Sequence, residues 1–89
     1  MELKLYILTV INTQPEQDSA LDLQIGQIGT VKGFNRESIA SKLLAMGVLP
    51  GSRIELVRKG PFGGTYYIAV DDHFLALRHR ELQSIHIRK

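Results

Sequence analysis

The apolar positions of this chain come mostly in short runs that alternate with polar ones, a two-residue period that belongs to strands. Thr65 to Val70 is the clearest case, with Tyr66, Ile68 and Val70 on one face. Arg53 to Lys59 turns Ile54 and Leu56 one way and Arg53 and Glu55 the other, until Val57 breaks the alternation. Phe74 to Arg78 reads as the hairpin partner of Thr65–Val70 across a short Asp71-Asp72 turn. Ser84 to Arg88 reads as a closing strand with Ile85 and Ile87 buried, after a single helical turn from His79 to Leu82. Upstream, Leu21 to Ile25 alternates over a short stretch, and Thr30 to Phe34 continues as a strand. Between them, Gly26 and Gly29 bracket Gln27-Ile28. That spacing predicts a tight turn and then a bend at a point where a side chain would collide. The apolar run within Met1 to Ile11 predicts an additional N-terminal strand over about residues 2–12, followed by a polar loop from Thr13 to Ala20.

One segment changes period. Ile39, Ala40, Leu43, Leu44 and Met46 recur at three- and four-residue spacings and predict a helix from Asn35 to Met46. Asn35 is suited to cap its first backbone N–H groups, and Glu37 complements the positive end of the helix dipole. Gly47 is placed to close it in a left-handed conformation, with Val48 supplying the accompanying hydrophobic contact. Leu49-Pro50-Gly51-Ser52 then reads as a type II turn, proline setting φ at its second position and glycine accepting positive φ at its third. Gly60-Pro61-Phe62-Gly63-Gly64 is a loop with an aromatic residue at its tip. The sum is a mainly β domain over residues 1–89, with one helix among five to six short strands. Such a chain buries its alternating face best by closing into a small barrel, which also removes sheet edges.

Composition narrows the function classes. The chain has 89 residues, 44% of them hydrophobic and 22% charged, as in an ordinary folded domain with a thin core. It has no cysteine, which excludes disulfides, thiolate metal sites and a cysteine nucleophile. The N-terminal apolar run is about half of what a membrane span needs and lacks the layout of a signal peptide, so a cytoplasmic location is expected. The net charge is +2. Basic residues gather at Arg58-Lys59 and again at Arg78, Arg80, Arg88 and Lys89, but no aromatic stacking motif accompanies them. A solvated face is expected there, and no nucleic-acid partner.

The sequence carries no parts of an enzyme. It has no Gly-x-Ser-x-Gly elbow, and Gly60 to Gly64 lacks the Lys-Ser/Thr of a phosphate loop. No catalytic residue and no cofactor are assigned. For a metal ion the candidates are His73 beside Asp71 and Asp72, and His79 with Glu81 and His86. His and carboxylate ligands would suit ferrous iron, while Asp at a hairpin turn has a sufficient explanation as a turn former. Protein binding has the positive signal. Phe62 lies between glycines and behind Pro61, in a loop with little to bury it, and Leu49 and Pro50 lie on a second turn that the barrel could bring nearby. The alternative is that Phe62 folds over a barrel end as a plug. An exposed apolar patch often marks a partner site, which makes Leu49, Pro50, Pro61 and Phe62 the candidate contact residues.

From Leu43 onward the chain resembles the FeoA family. The resemblance rests on Leu43-Leu44-Ala45-Met46-Gly47-Val48-Leu49-Pro50-Gly51, then Gly60-Pro61-Phe62-Gly63, then Leu75-Ala76-Leu77-Arg78 and a final Ile85-His86-Ile87. Upstream, Leu23, Gly26, Gly29 and Val31 match the family's opening strand, so the similarity spans about residues 21–89. The loop tip departs from the family, reading Phe62-Gly63-Gly64-Thr65 where Gly-Asp-Pro is common, and Lys42 stands where arginine is usual. The resemblance implies an SH3-like barrel with an inserted helix. It also implies an accessory role in ferrous iron uptake, through docking to a membrane ferrous iron transporter of FeoB type that carries a cytoplasmic G-protein domain. Any membrane association would run through that partner. The same fold serves as the C-terminal module of metal-dependent repressors, which makes a regulatory module the alternative function. An added N-terminal strand leaves room for a homo-oligomer.

Overall fold

In the computed structural model, residues 18–89 are described, and the additional strand expected at about 2–12 lies outside them. The chain runs through β1 (Asp18–Ser19), a 3₁₀ turn (Ala20–Asp22), β2 (Ile28–Phe34), α1 (Glu37–Ala45), β3 (Arg53–Lys59), β4 (Thr65–Val70), β5 (His73–Arg78), α2 (His79–Gln83) and β6 (Ile85–Arg88). Among the described residues all pairings are antiparallel, in one six-stranded sheet of order β1-β6-β2-β3-β4-β5, so β1 and β5 remain as edges where closure was expected to remove them.

The predicted alternation fills a single core. Ile54, Leu56, Ile68, Val70, Leu77, Ile85 and Ile87 are buried in it with Val31, Phe34 and Leu43, and Tyr66 packs half-buried against them. The break at Val57 is a bulge: the register with β4 shifts between Leu56 and Arg58, which leaves Val57 exposed. A second bulge, between Val31 and Gly33, lets both Val31 and Phe34 face inward. Gly29 stands where a side chain would collide, because a Cβ there would lie 2.9 Å from Ile87 Cδ1. A side chain there would have to displace the Ile87 δ-methyl where β6 crosses β2.

Two local expectations are corrected. Asn35 does not cap the helix. Its N–H donates to the Ser84 carbonyl at 3.0 Å, continuing the β2–β6 ladder by one residue. The first helical bond instead runs from Ala40 N–H to the Arg36 carbonyl, so Arg36 occupies the cap position without a side-chain bond. Leu21 to Ile25 is not a strand either. Ser19 Oγ accepts from Leu21 N–H at 3.1 Å, and Asp22 reaches back to Ser19 N–H at 3.2 Å. This reciprocal cap winds the segment into a 3₁₀ turn. The pairing with β6 falls to Asp18–Ser19, within the stretch expected to be loop.

The helix end is as predicted. Gly47 has φ +91°, its N–H donates to the Leu44 carbonyl, and Val48 N–H donates to Leu43. This is a Schellman closure, and buried Val48 is its hydrophobic contact. The type II turn follows, with Gly51 at φ +92° and Ser52 N–H bonded to the Leu49 carbonyl at 2.9 Å.

Candidate protein-binding site

The loop between β3 and β4 is held by its backbone rather than by its side chains. Gly60 N–H donates to the Thr65 carbonyl at 2.7 Å, and Gly63 N–H donates to the Gly60 carbonyl at 3.2 Å. Pro61 fits the second position of that turn, and Gly63 follows at φ +77°. Phe62 sits at the tip, 98% exposed. It does not plug the barrel. A large aromatic side chain is thus displayed on a loop closed by two backbone hydrogen bonds.

The surroundings of this tip are basic and aromatic. Arg58 lies over the ring of Tyr67, 4.3 Å from its centroid. Lys59 pairs with Tyr66, and Thr65 pairs with Arg78. The Tyr66 and His79 rings stand 6.1 Å apart in a tilted arrangement.

Leu49 and Pro50 are not beside it. They lie on the turn that precedes β3, whereas Pro61 and Phe62 lie on the loop that follows it. Seven residues of strand set the two turns roughly 20 Å apart. Leu49 is 44% exposed and its N–H bonds to Ser52 Oγ at 3.2 Å, so it forms a separate apolar spot at the opposite end. That end is tied together by Asp71. Its side chain accepts from Arg53 N–H at 3.0 Å, and its own N–H donates to the Arg53 carbonyl at 2.9 Å. The first of these bonds is the main reason its carboxyl is held below the usual aspartate range.

The histidines are also dispersed. His73 begins β5, with Nε2 3.3 Å from the Met46 carbonyl and Nδ1 3.7 Å from Asp72. His79 lies past the other end of the same strand, roughly 20 Å away, so one ion cannot use both. His86 lies on β6, where its two ring nitrogens are buried with no hydrogen-bond partner among the described residues, and burial pushes its pKa down. Among the described residues, no three His, Cys, Asp or Glu side chains converge in a way that could hold a metal.

Two features escaped the sequence reading. Glu81 is buried, and it joins α2 to α1 through an ion pair with Lys42 while accepting from Arg78 N–H at 2.9 Å. Burial pushes its carboxyl up, but the bonds from Arg78 and Lys42 outweigh that and hold it below the usual glutamate range. The second is Phe74, 75% exposed on β5. Its signal was present, since it lies out of phase with Leu75 and Leu77 on the same strand.

The chain is similar to proteins of one family and one fold. A family model described as the FeoA domain matches residues 21–89. A FeoA-like protein from Clostridium acetobutylicum superposes with a TM-score of 0.75 at 21% identity, over 84% of this chain and 88% of that one. FeoA from Stenotrophomonas maltophilia, solved with zinc and described as a prokaryotic SH3 domain protein, gives 0.66 at 24% identity, over 79% and 88%. A manganese-dependent transcriptional repressor gives 0.75 at 18% identity, over 86% of this chain but only 38% of the repressor. At these identities the structural matches show the fold, which is the SH3-like barrel expected from the sequence. No helix among the described residues is long and apolar enough to cross a membrane.

Proposed function

Starting from the fact that the chain belongs to the FeoA family, we propose that it is a non-catalytic cytoplasmic accessory protein of ferrous iron uptake. It acts by docking on the membrane transporter, through the transporter's cytoplasmic G-protein domain. The observation that carries this reading is Phe62, fully displayed on a backbone-locked loop. Transferring a phenylalanine side chain from water to a fitted pocket is worth about 2 kcal/mol, enough to make it the anchor of a small interface. Arg58, Lys59 and Arg78 near its base favour an acidic rim on the partner and fast, salt-sensitive association. Pro61 supports the tip, and Leu49 and Pro50 supply a second contact only if the partner reaches along β3.

The test is an NMR titration of the labelled protein with the soluble G-protein domain of the transporter. Shifts confined to Lys59–Thr65 are expected, with Leu49–Ser52 following if the longer contact forms. An unchanged spectrum at high concentration would sink the reading, as would shifts that avoid the Phe62 loop.

A further inference from the structure

We propose that β5 is an interface strand and that a second copy of this chain adds to it, edge to edge, in an antiparallel two-fold pair. The inference rests on the other exposed aromatic residue and shares only Arg78 with the transporter reading. β5 is the last strand of the sheet, paired only with β4 among the described residues. The β4–β5 hairpin closes with two residues between Val70 and His73, which makes that pair the first hydrogen-bonded one. Leu75 and Leu77 then also bond inward to β4. The N–H and C=O groups of Phe74 and Ala76 point the other way, off the sheet, and among the described residues no backbone group meets them.

Free edges are ordinarily blunted by charge, proline or a bulge. This one reads Phe74-Leu75-Ala76-Leu77, regular along its length and 75% exposed at Phe74.

A second copy fits it in one register. Placing Leu75 against the partner's Leu75 on the two-fold axis sets Phe74 opposite the partner's Ala76, and Ala76 opposite the partner's Phe74. All four free backbone groups of each strand are then used. On the outer face a large side chain meets a small one twice, so the pair interdigitates without a clash. One step further out, Arg78 faces the partner's Asp72, again twice. Asp72 is fully exposed, so it has no competing burial to overcome. Shifting the register in one direction would bring Phe74 against Arg78, whose N–H is already bonded to Glu81 at 2.9 Å. Shifting it in the other would bring Ala76 against the turn at Asp72. Both lose bonds that the Leu75-centred register makes. The contact is small, at the low end of specific interfaces, so association in the upper micromolar range is expected.

The experiment uses the full chain. Sedimentation velocity from about 10 μM to about 1 mM should show a monomer passing to a dimer. Amide exchange at the high concentration should newly protect Phe74 and Ala76, with Leu75 protected throughout. Phe74→Lys, a change at an exposed site, should raise the dimer dissociation constant roughly tenfold or more. Asp72→Arg should weaken the dimer, and adding Arg78→Asp should restore it. A monomer persisting to about 1 mM would overturn the proposal. So would a dimer in which the Phe74 and Ala76 amides stay unprotected. Protection of both amides already in the dilute monomer would assign the edge to a segment of the same chain and overturn it equally.

Discussion

At the residue scale, three side chains separate binding from stability. Phe62 makes no contribution to the core, so Phe62→Ala should change folding stability by less than about 0.5 kcal/mol while reducing transporter binding. Chemical denaturation and the NMR titration check the two halves. Glu81 makes the opposite kind of contribution. Its folded pKa lies below the unfolded one, so its stabilisation is present above the unfolded carboxylate range and is lost as pH falls through the folded value. Glu81→Gln should lower stability near neutrality and flatten the acid limb of a stability–pH curve. His86 has the reverse preference. Its folded pKa is lowered by burial, so protonation favours the unfolded chain. Stability from this group is complete above the unfolded histidine value of about 6.5 and declines as pH falls from there toward the folded value. His86→Leu should remove that decline, because it replaces two unsatisfied buried nitrogens with apolar atoms.

At the scale of elements, the joints matter more than the segments they join. α1 is short, and its C-terminus is held by Gly47 at φ +91° with the His73 ring 3.2 Å from where a Cβ would stand. Gly47→Ala therefore carries both a backbone and a packing cost, and a loss of about 1–2 kcal/mol is expected in thermal or urea unfolding. Gly29 acts between strands. Gly29→Ala should cost about 1 kcal/mol by pressing on buried Ile87, and Gly29→Val more, because it adds branched volume where a Cβ already lies 2.9 Å from Ile87 Cδ1 and 3.4 Å from the Arg88 carbonyl. Gly29 stood out in the sequence for this collision and Gly47 for its backbone conformation, while the His73 ring beside Gly47 was not foreseen. The start of α1 did not read correctly, because Asn35 is a good cap in isolation and only its bond to Ser84, distant in sequence, keeps it in the sheet.

Considering the whole molecule, the barrel decides which exposed residues share a surface. β3 sends Leu49 and Phe62 to opposite ends, and β5 does the same to His73 and His79. Leu49, Pro50, Pro61 and Phe62 therefore do not form a single compact patch. The molecule presents a Phe62 end with cations around it, and a separate Leu49 end tied by Asp71 and Arg53. Raising ionic strength should weaken binding at the Phe62 end mainly through the association rate, which surface plasmon resonance with the transporter's G-protein domain would resolve.

The sequence by itself determined the local order. Period-two runs specified the strands of the core, period-three-and-four spacing specified α1, and Gly47, Pro50 and Gly51 specified how α1 is closed and reversed. Each of these depends on neighbours a few residues away, so a linear reading reaches them. The loop carrying Phe62 was legible for the same reason, but the sequence left open whether Phe62 is displayed or plugs the barrel, and the structure decides for display. Tertiary structure alone decided the rest. The Lys42–Glu81 pair, the Asn35–Ser84 bond, the buried nitrogens of His86 and the free edge beside Phe74 all depend on which strands lie side by side. That order comes from closing one core against the inward face of a bulged β2, a condition that no short window of sequence contains.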